Sequence, residues 1–399
     1  SSIDGRIAST NNQTSWVGQG WDYSPGFIER SYVTCAKDPA GTAPKVGDLC
    51  WAGQVVTLSR DGHSVALVRD DATGVWHLAA DDGTRVERLT GASNGALDGE
   101  HWKVTAPDGT AYVYGLTYGP GRTNQPGTGS TWTVPVYGAH PGDPCYNSSG
   151  FAASVCTQAW RWNLDYVQDV HGNAALFSYT PETNGYGQNG SSTAAAYTRG
   201  GYLSRIDYGL RLVNGSVYTS PAPDQVVFGV TERCIPSASF TCDPALFTAA
   251  NAANWPDTPQ DQSCPVGGSC SNHVPTFWST KRLTLITTQV STGSGYAKVD
   301  DYALTQSFPN QGDASMWLAS VTHTGYDPTG AALPTPPVSF SGQLLDNRVA
   351  GYNTQPPMLH WRLGQITTET GAITAITVSY THLRAHETDS YLVCRLLLE

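Results

Sequence analysis

Cysteine is the residue type with the clearest chemical potential in this chain of 399 residues. Eight of the nine cysteines form pairs that are close in sequence: Cys35 with Cys50, Cys145 with Cys156, Cys234 with Cys242, and Cys264 with Cys270. A disulfide across each short loop would stabilise the fold by roughly 2–3 kcal/mol, because it restricts the unfolded chain. The pattern predicts four local disulfides and a secreted or cell-surface protein.

Zinc binding is the alternative use of these thiols. Cys264, Cys270 and His273 lie close together, with Cys234 and Cys242 upstream. No C-x2-C pair occurs and the spacings are irregular, whereas structural zinc sites usually have regularly spaced ligands. We therefore favour disulfides and predict no metal site.

Two recognised catalytic motifs are absent: the chain has no phosphate loop of the form G-x-x-x-x-G-K-[ST] and no H-E-x-x-H. His171 falls in a predicted turn and is more simply a solvated loop residue than a general base. Carboxylates occur in adjacent pairs, which would be poor glycosidase dyads because neighbouring residues on a strand face opposite sides, and we interpret them as turn formers. These pairs are Asp70 with Asp71, Asp81 with Asp82, and Asp300 with Asp301. We predict no catalytic residue and no cofactor. The sequence does not exclude a glycosidase dyad formed by two carboxylates that are distant in the chain and meet in the fold.

The last residues of the chain have a separate origin in our interpretation. Residues 378–388 and 392–399 match the translation of two pieces of a sequencing adapter, with a gap of index size between them. His382, His386 and Glu387 have metal-ligand spacing, but they fall in this tail and receive no weight. We expect 378–399 to have no native fold, which makes Cys394 foreign and leaves residues 1–377 as a fragment of something larger.

Composition excludes several classes of protein. The net charge of −11 provides no basic surface for nucleic acid. No apolar run approaches the ~18 residues of a membrane span. The chain has 12 Trp and 20 Tyr but only 14% charged residues. This composition excludes a coiled coil and a disordered tail.

Short runs of β-branched and aromatic residues, separated by Gly, Asp, Asn and Pro, predict an all-β fold. Alternation of large apolar and polar residues over 160–167 predicts a half-buried strand. Further strands are predicted at 64–69, 86–89, 111–114, 202–208, 225–230, 283–290, 302–308 and 317–323. We expect a mainly antiparallel meander of hairpins that forms an open shell or barrel-like segment.

An internal repeat supports the hairpins. The motif Trp-x-Leu or Trp-x-Val followed by Asp-Gly-Thr begins at Trp76 and again at Trp102, 26 residues later. Asp-Gly suits a tight turn, and the tryptophan would pack across the strands. Long loop insertions are predicted at about 181–200 and 234–278, with one short helix near 243–253.

The N-terminal stretch Gly18-x-Gly20-Trp21, continuing to Ile28-x-Arg30, resembles the entry motif of large bacterial RHS/YD-repeat and toxin-complex shell proteins. Similar stretches are 160–167 with the turn 169–173, and then 320–325 and 366–371. The resemblance covers 18–371 and is in particular to secreted actinobacterial RHS proteins. True YD repeats are sparse, and neither the shell-closing motif nor a toxin domain occurs.

This resemblance implies a non-catalytic scaffold, the segment that starts a shell around a C-terminal toxin. Its partners would be the rest of its own shell and the toxin cargo, with no nucleic acid and no membrane span. A carbohydrate-binding surface module is the first alternative, since Trp and Tyr faces can stack on sugars. A β-rich glycoside hydrolase is the second.

Overall fold

Antiparallel strands dominate the protein, and the predicted all-β class is confirmed. The computed structural model describes residues 13–38, 41, 43–124, 126–309, 314–346 and 359–377, so the tail at 378–399 lies outside the described residues. The strands of the first half are β1 (Phe27–Arg30), β2 (Val33–Thr34), β3 (Leu49–Cys50), β4 (Val56–Arg60), β5 (His63–Arg69), β6 (Trp76–Leu78), β7 (Arg85–Leu89), β8 (His101–Thr105), β9 (Ala111–Tyr114), β10 (Thr131–Tyr137) and β11 (Val155–Gln168). Those of the second half are β12 (Asn173–Tyr186), β13 (Ala195–Arg211), β14 (Asp224–Glu232), β15 (Lys281–Ser291), β16 (Tyr296–Ser307), β17 (Trp317–Tyr326), β18 (Ala332–Pro334), β19 (Val338–Asp346), β20 (Leu359–Thr367) and β21 (Ile373–Ala375).

Eight of these strands close into a barrel. Strand β1 pairs with β4, the chain then pairs consecutively from β4 to β9, and β9 pairs with β11, which returns to β1. Every pair in this ring is antiparallel. Closure removes the unpaired strand edges that an open sheet would expose.

The 26-residue repeat builds two of the barrel hairpins, as the sequence predicts. Gly83 and Gly109 both have a φ of 87°, the left-handed conformation that a tight turn requires. The rings of Trp76 and Trp102 pack edge to face with their centroids 4.9 Å apart, and both residues belong to the buried barrel core. The hairpin interpretation of the repeat is therefore confirmed.

Strand β11 joins the barrel to the rest of the molecule, and the prediction that it is half-buried is wrong. Trp162 lies in the barrel core, but Asn163 and Asp165 are equally buried. Two bulges break the alternation: the pairing with β10 skips Trp160, and the pairing with β9 skips Asp165. Each bulge reverses the face that the following side chains occupy, so one strand contributes to several cores.

Beyond β11 the sheet continues as an antiparallel meander. Each strand from β12 to β17 pairs with the next, β17 pairs with both β18 and β19, and β19 continues through β20 to β21. Three of its hairpins use the same five-residue turn, at 169–173, 327–331 and 368–372. In each turn the first residue donates its N–H to the carbonyl of the fifth residue, and its side-chain oxygen accepts the N–H of that fifth residue.

One loop prediction and one turn prediction need correction. The predicted loop at 181–200 is largely strand, because Pro181 to Tyr186 pairs with residues 195–201, and only 187–194 lies between β12 and β13. Backbone pairing outweighs the Gly- and Asn-rich composition there. Asp300 and Asp301 lie within β16 and not in a turn.

The second predicted insertion, 234–278, lies between β14 and β15. The expected short helix is replaced by two 3-10 segments, Pro244–Leu246 and Ala249–Asn254. Asp243 begins the first segment and accepts the N–H of Ala245 at 2.8 Å. In the described part of the chain, no helix has the length and apolar character needed to cross a membrane.

Candidate functional site

The eight cysteines within the described residues lie together in the four sequence-local pairs. The Cα atoms are 4.9 Å apart for Cys35 and Cys50, and 5.6 Å apart for Cys145 and Cys156. The corresponding distances are 5.8 Å for Cys234 and Cys242 and 5.6 Å for Cys264 and Cys270. All four distances suit disulfide bonds.

The arrangement around His273 does not form a zinc site. The imidazole Nδ1 lies 2.9 Å from the carbonyl oxygen of Gly187, while the neighbouring Cys264 and Cys270 are bonded to each other. Among the described residues, no group of three or more His, Cys, Asp or Glu is arranged to hold a metal ion.

His171 and most of the adjacent carboxylates lie in exposed turns. His171 is at the tip between β11 and β12, and its backbone N–H donates to Asp169 at 2.8 Å. Asp70 accepts two backbone N–H groups of its own turn, and Asp82 accepts the N–H of Thr84 at 3.0 Å. Their carboxylates therefore organise turns.

Asp300 and Asp301 belong to two separate networks on β16. Asp300 lies 2.7 Å from Nε2 of His323, whose ring stacks on Tyr302. Asp301 is bound instead by Lys298 and by the hydroxyl of Tyr326, at 2.7 and 2.6 Å. Pairing with β17 places His323 opposite Tyr302. Asp300 lies on the same face of β16 as Tyr302, and Asp301 lies on the other face.

The N-terminal motif forms a strap across the later strands. We call residues 13–26 the strap. The N–H of Gln19 donates to the carbonyl of Met316 at 2.7 Å, and the carbonyl of Trp16 accepts the N–H of Leu283 at 2.8 Å. Trp21 packs on Phe340 with ring centroids 5.1 Å apart. The strap therefore reaches from the start of the barrel to β15, β17 and β19.

Gly18 allows the closest approach of the strap to the sheet. Its φ is +139°, and a Cβ added to Gly18 would lie 3.0 Å from the backbone nitrogen of Leu318. Gly20 also has a positive φ, +80°, but a Cβ there would have open space. The two glycines of the motif thus have different requirements: the first needs both its conformation and its lack of a side chain.

A buried arginine fastens the strap. Arg233 pairs with the carboxylate of Asp257, and both side chains are almost fully buried. The same guanidinium donates to the carbonyls of Thr14 and Ser15 at 3.1 and 3.0 Å. Sequence reasoning missed this residue, since its partners are distant in the chain.

The end of the motif closes the barrel. Ile28 is fully buried in the barrel core, and Arg30 makes two hydrogen bonds to Glu100 at 2.8 and 2.6 Å. Burial would raise the pKa of Glu100, but the hydrogen bonds and charges of Arg30 and Arg88 outweigh it and hold this pKa below its usual value. The I-x-R spacing was a signal for this role.

Asp165 is a buried carboxyl group at a β-bulge. Its Oδ2 accepts the N–H of Thr117 and the hydroxyls of Thr128 and Ser130, at 2.8, 3.0 and 2.7 Å. Burial raises the pKa of Asp165 to about 6, although these hydrogen bonds and one from the backbone of Leu116 oppose the shift. Asp165 thus links β11 to the segment after β9 and to the residues just before β10.

A cleft of about 420 Å³ is bordered by Arg122, Tyr218, Arg205 and Asp207. A smaller cleft, of about 180 Å³, lies beneath the strap. The smaller cleft is lined by aromatic side chains that include Trp132 and Trp160, whose rings pack on each other at 5.4 Å. Each cleft has one lining carboxylate, Asp207 or Asp22.

These features define a disulfide-containing all-β protein in which a closed barrel continues into a strapped meander. No family model matches the chain, and no curated protein matches it. Its backbone is similar to the solved structure of TcdB2-TccC3, with a TM-score of 0.43, 13% identity and coverage of 82% of this chain. The chain spans 15% of the length of that protein.

Two further solved structures are similar to this chain. The Photorhabdus luminescens Tc holotoxin pore gives a TM-score of 0.42 and 13% identity, covering 87% of this chain and 15% of that one. The N-terminal domain of the effector protein SpvB from Salmonella typhimurium strain LT2 gives 0.42 and 15% identity, covering 80% of this chain and 92% of that domain. No residue role is transferred from these proteins.

Proposed function

We propose that this chain is a scaffold segment in the wall of a secreted RHS-type toxin, which begins a shell around a toxin encoded C-terminal to it. The proposal rests on the resemblance of the motif Gly18-x-Gly20-Trp21 and its continuation to Ile28-x-Arg30. It gains physical support from what those residues do: the first part straps the meander, and the second closes the barrel.

The observation that carries the proposal is the strap. The barrel and the meander are joined at β11, and the strap adds a second connection through β15, β17 and β19. A wall that must hold its curvature needs such cross-links, because a single row of paired strands can bend about its hydrogen bonds. The five-residue turns provide the repeated hairpins from which such a wall is extended.

In this proposal the residues have mechanical roles and no catalytic step. A glycoside hydrolase needs two carboxylates about 5 to 9.5 Å apart across its cleft. The lining of each described cleft has a single carboxylate. The aromatic side chains beneath the strap are engaged in packing with one another, which favours a structural role over a sugar-binding platform.

The test is to sequence the natural gene past the codon for Thr377 and express the complete chain. We expect many YD repeats downstream, a closed shell in cryo-electron microscopy, and a C-terminal segment protected from added protease until the shell is opened. A natural gene without YD repeats would contradict the proposal. So would a complete chain whose C-terminal segment is cleaved as fast as an isolated control peptide.

The carbohydrate-binding alternative has its own readout. Glycan-array binding by the complete chain that is lost when Trp21 or Tyr23 is replaced by Ala would favour it. Both rings are partly exposed, at 36% and 43%. Binding that is absent, or that both variants retain, is expected if the chain is only a wall segment.

A further inference from the structure

We propose that the larger cleft binds a sugar acid, a small molecule with one carboxylate and several hydroxyl groups. The cleft lies between the segment that follows β9 and the strands β12, β13 and β14. Its volume of about 420 Å³ falls within the range of small-molecule sites. The proposal concerns a ligand site and does not depend on the shell function.

Arg122 provides the anion-binding group. Its guanidinium carbon lies 4.0 Å from the centre of the Tyr218 ring, and it forms no ion pair with any carboxylate in the described chain. Stacking on a ring occupies the face of a guanidinium and leaves the N–H groups at its edge for a carboxylate. In a protein of net charge −11, a half-buried arginine without an acidic partner is suited to an anion from outside.

The position of Arg122 is set by its backbone. Its N–H donates to the carbonyl of Gly119 at 3.2 Å, and the N–H of Val217 donates to the carbonyl of Pro120 at 3.1 Å. Between them, Gly121 has a φ of +88°, and a Cβ there would lie 2.1 Å from the Ser216 hydroxyl. The arginine is therefore carried by a turn packed directly against the segment of Tyr218.

Other lining residues provide groups for hydroxyls. The carboxylate of Asp207 accepts from Arg205 at 3.0 Å and from the amide of Gln225 at 2.6 Å. Asp207 and the carbonyl oxygen of Gln225 can each accept a ligand hydroxyl. Ser178 and Ser204 also line the cleft, and the Ser204 hydroxyl, which donates to the carbonyl of Ser178 at 2.9 Å, can still accept a hydrogen bond.

Apolar lining residues complete the match to a sugar ring. Leu176, Val227 and Pro126 belong to the lining and suit the C–H face of a pyranose. A simple anion would use the guanidinium of Arg122 but not the apolar residues, and a neutral sugar would give Arg122 no carboxylate. A uronate would use the guanidinium, the polar acceptors and the apolar residues together.

The test measures binding of D-glucuronate by isothermal titration calorimetry, with D-glucose and acetate as matched probes. We expect glucuronate to bind at least about 10-fold more tightly than either probe. Arg122→Gln should weaken glucuronate binding by about 10- to 100-fold, the loss expected for a charge-assisted hydrogen-bonded pair. Arg211→Gln is the matched control, because Arg211 is exposed on β13 and does not line the cleft.

A second measurement tests the proposal without any substitution at Arg122. Methyl NMR of the unaltered protein should show shifts at Leu176 and Val227 when glucuronate is added. The proposal is overturned if glucuronate does not bind at millimolar concentration, or if acetate or glucose binds as tightly. It is equally overturned if these two methyl groups do not shift, or if folded Arg122→Gln binds glucuronate like the Arg211→Gln control.

Discussion

Arg30 and Glu100 form a buried ion pair beside the barrel, with two hydrogen bonds of 2.8 and 2.6 Å between guanidinium and carboxylate. The guanidinium also lies between two indoles, 5.1 Å from the ring centre of Trp51 and 5.0 Å from that of Trp162. This places the last residue of β1 in a site where a cation is shielded from water. The stability of the barrel therefore depends on the carboxylate that neutralises it.

Glu100→Ala should destabilise the protein by about 3–5 kcal/mol, because it leaves a buried arginine without its carboxylate. Urea denaturation followed by tryptophan fluorescence measures the free energy of unfolding. Glu87→Ala is the control, since Glu87 pairs with the largely exposed Arg85, and such a pair contributes about 0–1 kcal/mol. Equal losses in the two variants would contradict the role given to Glu100.

Gly18→Ala should loosen the strap more than Gly20→Ala does. Both positions have a positive φ, but only at Gly18 would the new methyl group meet the backbone of the sheet, 3.0 Å from the nitrogen of Leu318. We expect a loss of about 1–3 kcal/mol beyond that of the control. Hydrogen exchange at the amide of Gln19, which is bonded to Met316, reports the change. Similar exchange rates in both variants would argue against the close approach.

Asp165 should make the protein more stable at mildly acidic pH. Because its pKa in the folded state is raised to about 6 from 3.8, its favourable contribution is complete below the unfolded pKa and is lost as the pH rises through about 6. Between pH 4 and pH 7.5 this amounts to about 2 kcal/mol. Asp165→Asn should remove that dependence, as measured by urea denaturation across this range.

The matched control for Asp165 is Asp169→Asn. The pKa of Asp169 is lowered, chiefly by the hydrogen bond from the Asn173 side chain. Its contribution is therefore present at neutral pH and lost as the pH falls, the opposite direction. A pH profile of Asp165→Asn that parallels the unaltered protein would show that the buried carboxyl does not titrate as described.

Removing disulfides should destabilise the protein in the order of loop length. The Cys35–Cys50 bond spans 15 residues and the Cys264–Cys270 bond spans 6. Paired replacement by serine should lower the free energy of unfolding by about 3 and 2 kcal/mol, respectively, in the loop-entropy model. Denaturation of the two double variants under non-reducing conditions measures both values. A larger loss for the shorter loop would contradict an entropic origin.

The local features of the barrel followed from sequence, because they depend on residues close in the chain. The repeat beginning at Trp76 and Trp102 predicted two hairpins, and Asp-Gly turns placed their ends. Composition failed where long-range pairing outweighed it: residues 181–186 have the glycine and asparagine of a loop but pair as a strand with 195–201.

Alternation over 160–167 predicted the strand β11 but gave the wrong burial. Its two bulges lie in the pairings with β10 and β9. The residues 160–167 alone do not show these partners, so their pattern could not reveal that Asp165 is buried. The same holds for Arg233, whose partners Thr14 and Asp257 come from opposite parts of the chain.

The sequence by itself therefore determined the all-β class, the antiparallel hairpins and the sequence-local cysteine pairs, since neighbouring residues define all three. Only the tertiary structure decided that eight strands close on themselves, that the N-terminal motif straps the meander, and which charges are buried. Those outcomes depend on contacts between residues tens to hundreds of positions apart, where the energy of burial and pairing outweighs local preference.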